Sequence, residues 1–220
     1  MHDIRRINVM EGILDENDHI ASHINEKLSE EGILCVNVMG APGAGKTTAL
    51  KNIIKHLAGV TPYIIEGDIE SDIDTRELRS LGIKAYQINT FGACHLDAPM
   101  VHNMVNNIIF DSKGILFIEN IGNLVCPAEF NIGEHIKMLI SPVTEGSDKP
   151  YKYPLAFEKA DLIIQSKADL LPHVNFDEEF FMKGLRALNK NAIVFKTSGK
   201  TGDGFAEVAS WLTRKAAHER

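Results

Sequence analysis

The residues with the clearest chemistry form the string G-A-P-G-A-G-K-T at positions 40–47. It matches G-x-x-x-x-G-K-[ST], the pattern of a phosphate-binding loop, at every fixed position. Glycines allow a tight turn whose backbone N–H groups point at phosphate oxygens, and the following helix N-terminus favours an anion. Lys46 is predicted to meet the β- and γ-phosphates and Thr47 to place its hydroxyl on Mg²⁺. The nucleotide-binding residues predicted here are Gly43, Ala44, Gly45, Lys46, Thr47 and Thr48.

Three acids and a glycine stand where a nucleotide site needs magnesium and γ-phosphate contacts. Asp68 ends a predicted strand and Asp74 follows it, so both are candidates for contacts to metal-bound or attacking water. Glu119 ends another predicted strand and precedes Gly122, whose amide is predicted to sense the γ-phosphate. The alternative is that the acidic run at 66–74 is only the solvated start of a helix. The predicted catalytic set is Lys46, Asp68, Asp74 and Glu119, and the predicted magnesium contacts are Thr47, Asp68 and Glu119.

The segment Q-S-K-A-D at 165–169 resembles the N-K-x-D motif that selects guanine. Asp169 would accept hydrogen bonds from guanine N1 and N2, and the Lys167 stem would cover the base. Adenine offers neither donor, so an ATP-dependent kinase or ATPase, the rival interpretation, would leave this carboxylate unpaired. Ser166 replaces the motif's Asn with a shorter side chain. The segment after the last predicted strand, which resembles the loop that reads guanine O6 or is an ordinary turn, contributes Ser198, Gly199 and Lys200.

A second chemical set consists of Cys94, His95 and Cys126. Thiolate and imidazole ligands suit Zn²⁺ or Ni²⁺. We predict Cys94 and His95 at the start of a helix and Cys126 on a loop leading out of the nucleotide site. Three ligands do not close a tetrahedral structural zinc site, whereas a two-fold dimer that shares them would. Spacing alone leaves open that these are small buried residues with a helix-start histidine, or redox-sensitive thiols; Cys35 is expected in the core.

A regular alternation of strands and helices is predicted to position these residues. Apolar runs predict strands at 33–39, 63–65, 85–88, 115–118, 136–140, 162–165 and 192–195. Helical patterns occur at 13–31, 46–58, 70–81, 97–109, 177–189 and 203–216. This order predicts an α/β, P-loop NTPase three-layer fold with a mostly parallel central sheet and helices on both faces. Three prolines in 141–155 predict a long loop.

Composition excludes several classes of function. The 220 residues include 23 Lys and Arg against 30 Asp and Glu, and the formal net charge of −7 argues against nucleic acid or an anionic membrane as a partner. No apolar run is long enough for a transmembrane helix, and the first residues lack the apolar core of a signal peptide. Three cysteines fit a reducing compartment better than a disulfide scaffold. We therefore expect a cytoplasmic protein with no nucleic-acid or membrane partner.

Three strings resemble the HypB family, the GTPases of nickel insertion into [NiFe]-hydrogenase. They are I-E-N-I-G-N-L-V-C-P at 118–127, C-H-L-D-A at 94–98 and V-T-E-G at 143–146. The related urease GTPases have a Cys-Pro-His motif instead, which this sequence lacks. The resemblance extends from about residue 33 to residue 215. It suggests two parts: an N-terminal amphipathic helical extension at 1–32, and a P-loop GTPase domain with metal-site insertions at 33–217.

The resemblance implies a SIMIBI-class GTPase that needs Mg²⁺, converts GTP to GDP and dimerises with GTP. In the family, residues matching Cys94, His95 and Cys126 bind Ni²⁺ or Zn²⁺ near the dimer interface, and one matching Lys149 touches nucleotide across the dimer. The implied partners are a second copy, a HypA-type nickel co-chaperone and the hydrogenase large-subunit precursor. Isolated histidines in 1–32 predict no nickel-storage role there. A metal-binding scaffold with an idle nucleotide site and a urease-maturation GTPase are the alternatives.

Overall fold

The computed structural model describes residues 9–68, 73–80, 82–90 and 92–218. These residues form seven β-strands and nine α-helices. The strands are β1 (Ile33–Gly40), β2 (Thr61–Asp68), β3 (Lys84–Asn89), β4 (Gly114–Glu119), β5 (Ile136–Ile140), β6 (Leu162–Gln165) and β7 (Ile193–Lys196). The helices are α1 (Val9–Glu30), α2 (Lys46–His56), α3 (Ile73–Ser80), α4 (Ala98–Val105), α5 (Cys126–Glu129), α6 (Lys149–Lys152), α7 (Pro154–Lys159), α8 (Glu178–Leu188) and α9 (Phe205–His218).

The strands form one sheet in the order β3-β2-β4-β1-β5-β6-β7, and every described pairing between them is parallel. The predicted mostly parallel sheet is confirmed. Because the strands share one direction, the segments that follow them all leave from the same edge of the sheet. The order reverses at β1, whose neighbours are β4 and β5. Ligands of open α/β sheets bind at such a reversal, and the predicted phosphate loop follows β1.

Helices cover both faces of the sheet, which confirms the three-layer architecture. Leu34 and Val36 of β1 pack in one apolar cluster with residues of α2 and α9. Ile33 and Cys35 point to the other face, where they pack with residues of α1 and α4. All eight residues of β1 are buried, as expected for a strand that has helices on both sides.

Helix α1 is part of this packing. Its residues Ile24 and Leu28 are fully buried in the same cluster as Cys35. Cys35 itself is therefore a core residue, as predicted. Helix α1 thus shares an apolar cluster with strands of the sheet. The division of the chain at residue 32 stays a prediction. None of the helices in the described ranges is both long and apolar enough to cross a membrane.

Three local predictions are wrong. Residues 141–155 are not a long loop, because they contain a short 3-10 turn, α6 and the start of α7. Pro150 and Pro154 lie in the first turns of those helices, where the missing N–H has no intrahelical partner to lose. Cys94 and His95 precede α4 and do not begin it, since Asp97 caps that helix. Cys126 begins the one-turn helix α5 and is not on an irregular loop.

Candidate functional site

The loop between β1 and α2 has the backbone that phosphate binding requires. Gly43 and Gly45 have φ angles of 72° and 96°, a left-handed conformation that a β-carbon would strain. Lys46 begins α2, and its Nζ donates to the carbonyl oxygens of Gly40 and Ala41 at 3.4 and 3.5 Å. No side chain caps the start of α2, so its first N–H groups are available to an anion.

The Lys46 ammonium is partly buried between the loop and two acids. Burial lowers the pKa of Lys46 from its ordinary value, and the carboxylates of Glu119 and Glu145 act in the opposite direction. A nearby anion favours the charged form of an amine. A phosphate group at this loop would therefore raise the pKa of Lys46 and favour its charged form.

The end of β4 reaches the loop through Thr47. Thr47 Oγ1 donates a hydrogen bond to Glu119 Oε1 at 2.9 Å, and Glu119 is 9% exposed. Gly122 lies against Pro42, because a β-carbon at Gly122 would come within 2.9 Å of the Pro42 ring and nitrogen. The carboxylate and the glycine that we predicted for magnesium and γ-phosphate thus both contact residues of the loop.

The acids after β2 are described only in part. The side chains of Asp68 and Asp74 lie outside the described residues, so their roles stay predictions. Glu66, which the sequence analysis did not select, lies opposite Glu119 in the β2–β4 register and is 6% exposed. It accepts a hydrogen bond from Thr75 in the first turn of α3. This contact ties the end of β2 to the helix that follows the acidic run.

The segment after β6 is fastened to the phosphate loop. Ser166 Oγ donates to the Ala44 carbonyl at 2.9 Å, and Lys167 Nζ donates to the Gly43 carbonyl at 2.8 Å. Lys167 has a φ of 58°, the one positive φ at a non-glycine residue in the described chain. Such strained backbone is often found at functional sites, where surrounding contacts hold it. The hydroxyl of Ser166, although shorter than the Asn of the motif, reaches the loop.

Behind this segment lies a cavity of about 210 Å³. Asp169 borders it, and its Oδ1 accepts a hydrogen bond from Ser198 Oγ at 2.7 Å. Gly199 is in close contact with Thr48, because a β-carbon there would lie 2.6 Å from Thr48 Cγ2. The structure therefore gathers the predicted base-selecting residues around one cavity beside the phosphate loop. Its lining includes Thr48, Lys167, Asp169, Gly199 and Lys200.

Lys149 belongs to the same edge of the sheet. Its Nζ is paired with the Glu145 carboxylate at 2.9 Å and lies 5.0 Å from the centroid of the Tyr153 ring. Both side chains of the ion pair are mostly buried, at 16% and 20% exposure. Glu145 also acts electrostatically on Lys46 of the phosphate loop. The contact of Lys149 with a second subunit's nucleotide stays a prediction.

The predicted metal ligands converge. The sulfurs of Cys94 and Cys126 lie 3.3 Å apart, and Cys94 Sγ is 3.3 Å from His95 Nδ1. One ligand atom from each residue lies within 4.8 Å of the other two, and the described ranges contain no other such group of three His, Cys, Asp or Glu. All described cysteines are free thiols. Two thiols and an imidazole offer soft donors that suit Ni²⁺ or Zn²⁺.

Two members of this cluster have shifted pKa values that favour their neutral forms. The hydrogen bond with Cys94 raises the pKa of the Cys126 thiol, and burial and the charge of Cys94 act in the same direction. Burial lowers the pKa of His95, and the neutral imidazole is the form that binds metals. The His95 ring also packs on Phe130, with centroids 4.2 Å apart. The cluster is thus held in place by packing and open to a fourth ligand.

Asn123, which the sequence analysis did not select, joins the phosphate loop to the metal cluster. Asn123 forms a backbone bridge with Gly40, the last residue of β1. Its side chain donates to the Cys94 carbonyl at 3.3 Å and accepts from the Val125 N–H at 2.9 Å. One residue therefore touches the phosphate loop and both cysteine-bearing segments. The only sequence signal for this role is its place in the string E-N-I-G-N, because a single Asn does not by itself indicate a site.

This fold and this site define a P-loop nucleotide-binding protein with an attached thiol–imidazole cluster. A profile of the family "CobW/HypB/UreG, nucleotide-binding domain" matches residues 34–196. The chain belongs to the HypB family, which confirms the resemblance drawn from its motifs.

Individual relatives cover almost the whole chain. The hydrogenase maturation factor HypB of Azotobacter chroococcum mcd 1 is 41% identical over 212 residues, which are 96% of this chain and 70% of that protein. A crystal structure of HypB from Helicobacter pylori in complex with nickel has a TM-score of 0.87 at 34% identity, covering 92% of this chain and 96% of that one. The HypB structure from Archaeoglobus fulgidus has a TM-score of 0.85 at 37% identity, covering 92% of this chain and all of that one.

Proposed function

We propose that the chain is a GTP-hydrolysing metallochaperone for nickel insertion into [NiFe]-hydrogenase. The main support is one short segment that serves both sites: Glu119 bonds Thr47 of the phosphate loop, and Cys126 in the same segment lies against Cys94. The names of the relatives, hydrogenase maturation factors and a nickel-bound HypB, point the same way.

Guanine is the base that the cavity suits. The Asp169 carboxylate accepts from Ser198 and retains lone pairs for the N1 and N2 donors of guanine. Adenine would leave that carboxylate without those donors, which is costly in a partly buried site. Lys167 is held over the loop by its bond to the Gly43 carbonyl, so its stem can cover the base.

Hydrolysis would proceed by in-line attack of water on the γ-phosphate. Thr47 and Glu119 supply the hydroxyl and carboxylate oxygens that suit Mg²⁺, and they lie 2.9 Å apart, so these residues fit the ion. Bound there, Mg²⁺ would neutralise charge on the phosphates. Lys46 would stabilise charge on the transferred group, the Gly122 amide would contact the γ-phosphate, and Asp68 or Asp74 would hold the attacking water.

Nickel would be the cargo of the Cys94, His95 and Cys126 cluster. Binding would release the thiol protons, because thiolates are the ligands. Three protein ligands leave a position that a second subunit's cluster, a co-chaperone or the recipient can fill, so exchange does not require the site to be dismantled. Zn²⁺ suits the same donors and would compete. Reducing conditions in the cytoplasm would keep the thiols free.

The nucleotide would act as the switch. The γ-phosphate would order the Gly122 segment, dimerisation would follow, and Lys149 would leave Glu145 to reach the partner's nucleotide. A HypA-type co-chaperone and the hydrogenase large-subunit precursor are the proposed donor and recipient. A urease-maturation GTPase and a metal scaffold with an idle nucleotide site are the competing functions. The intact phosphate loop and cavity favour a working nucleotide site.

Replacing Cys126 with Ser is expected to lower nickel affinity by more than about 10-fold, since it removes one of three soft donors. The test is nickel-dependent hydrogenase activity in a host that lacks its own HypB, together with nickel binding to the purified protein. Cys35→Ala is the matched control, because Cys35 is a buried thiol outside the cluster. Wild-type protein and Cys35→Ala should restore hydrogenase activity and Cys126→Ser should not. Full restoration by Cys126→Ser would contradict the proposal.

A further inference from the structure

Asn120 joins three segments of the site. It follows β4 directly and is 1% exposed. Its Oδ1 accepts hydrogen bonds from the backbone N–H groups of Leu96 and Ile121, both at 3.0 Å. Its Nδ2 donates to Asn37 Oδ1 in β1 at 3.2 Å. One carboxamide thus holds the segment after His95, the segment before Gly122 and the strand that ends in the phosphate loop.

The hydrogen bonds of Asn120 are costly to lose because they lie in a buried environment. The Leu96 side chain is fully buried and lies against Gly67, where a β-carbon would be 2.9 Å from it. Gly67 precedes Asp68, so Leu96 also touches the strand that leads into the acidic run. A backbone N–H that loses its acceptor in such a site is costly to leave unpaired. The N–H groups of Leu96 and Ile121 therefore both stay bonded to Asn120 Oδ1 when it moves. If one of them separates from it, that N–H needs another acceptor.

We propose that Asn120 is the positioning residue through which the state of the nucleotide reaches the Cys94–His95 side of the metal cluster. This inference rests on the proposed function. When Gly122 moves toward a γ-phosphate, Ile121 and the Asn120 carboxamide move with it. Because the same oxygen accepts from Leu96, the backbone next to His95 is displaced or released. Such a shared acceptor is a discrete element that both sites can bias.

Asn17 provides a matched control. It is also a buried asparagine, at 4% exposure, and it also accepts from the backbone after His95, from Ala98 N at 2.9 Å. Its own amide donates to the Asn131 carbonyl at 2.8 Å. These bonds join α1 to the start of α4 and to the segment after α5. Asn17 therefore anchors the same backbone without linking it to the γ-phosphate side.

The experiment measures Ni²⁺ affinity of the full chain by nickel–thiolate absorption against a competing chelator, once with GDP and once with a non-hydrolysable GTP analogue. The ratio of the two affinities is compared among wild type, Asn120→Ala, Asn120→Asp and Asn17→Ala, below the melting temperature of each. Asn120→Asp keeps the oxygen that accepts from Leu96 and Ile121 and loses the amide that donates to Asn37 Oδ1. It therefore tests whether the accepting oxygen alone retains the ratio.

In wild type the ratio is expected to differ from 1 by about 5-fold or more. Asn120→Ala should bring it within about 2-fold of 1, Asn120→Asp should retain it, and Asn17→Ala should shift both affinities equally and leave the ratio unchanged. A wild-type ratio preserved in Asn120→Ala would overturn this inference alone, as would loss of the ratio in Asn17→Ala to the same extent. A wild-type ratio of 1 would overturn the proposed coupling itself, and the inference with it.

Discussion

Replacing Lys46 with Ala is expected to lower the rate of GTP hydrolysis by about 10²- to 10³-fold. Lys46 begins α2, and its Nζ lies 3.4 Å from the Gly40 carbonyl, at the mouth of the phosphate loop. It is the cation placed to stabilise charge on the transferred phosphoryl group. Phosphate release from GTP at saturating Mg²⁺ measures the effect. Lys55→Ala, an exposed cation of the same helix, is the control and should leave the rate unchanged.

The same variant separates the proposed function from its main rival. Nickel binding with GDP should survive in Lys46→Ala, since the hydrogen bonds of the Lys46 ammonium are made to the phosphate loop. If the nucleotide is a switch, hydrogenase maturation in a host lacking its own HypB must fail. If the chain is a metal scaffold with an idle nucleotide site, maturation should persist. Normal maturation with no hydrolysis would contradict the proposed function.

Replacing Asp169 with Asn is expected to exchange guanine for xanthine as the preferred base. The carboxylate borders the base cavity and is oriented by the Ser198 hydroxyl at 2.7 Å. An amide would face the exocyclic amine of guanine with a donor, whereas the O2 of xanthine can accept from it. Sites built to hydrogen-bond a group reject an analogue that lacks it by about 10⁴-fold. The ratio of GTP affinity to XTP affinity should therefore change by about that factor between wild type and Asp169→Asn.

Competition of GTP, XTP and ATP for the purified variant measures this change. The gain in XTP binding is the internal control, because a variant that merely unfolds loses all three nucleotides. Wild type should bind GTP far better than ATP. Equal binding of GTP and ATP by wild type would contradict the guanine assignment and favour an ATP-dependent enzyme.

The sequence predicted the phosphate loop and the strands well, for a physical reason. Both are local patterns. Glycines at fixed positions set the loop, and short apolar runs such as 162–165 are typical of buried strands in a sheet that is covered on both faces. The short helices in 149–159 differ from the predicted loop because proline also suits the first turn of a helix, where Pro150 and Pro154 lie.

Residue types suggested the metal cluster, but the spacing of its members along the chain could not predict that they meet. Cys94 follows β3 and Cys126 follows β4, and these strands are separated in the sheet by β2. Their segments meet at the carboxyl edge of the sheet, where the Asn123 side chain donates to the Cys94 carbonyl. The sheet order creates this relation. The roles of Asn120 and Asn123 could not be predicted for a related reason. Their side chains hydrogen-bond the backbone of distant segments, and such contacts produce no pattern in the sequence.

The central claim, that the nucleotide and the metal cluster are coupled, is tested most directly by one paired measurement. Nickel affinity and molar mass are determined for wild type and Cys126→Ala, each with GDP and with a non-hydrolysable GTP analogue. In wild type, the analogue is expected to increase the dimer fraction and to change nickel affinity by about 5-fold or more, and Cys126→Ala should lose the nickel response. Identical mass and identical nickel affinity in the two nucleotide states of wild type would contradict the account.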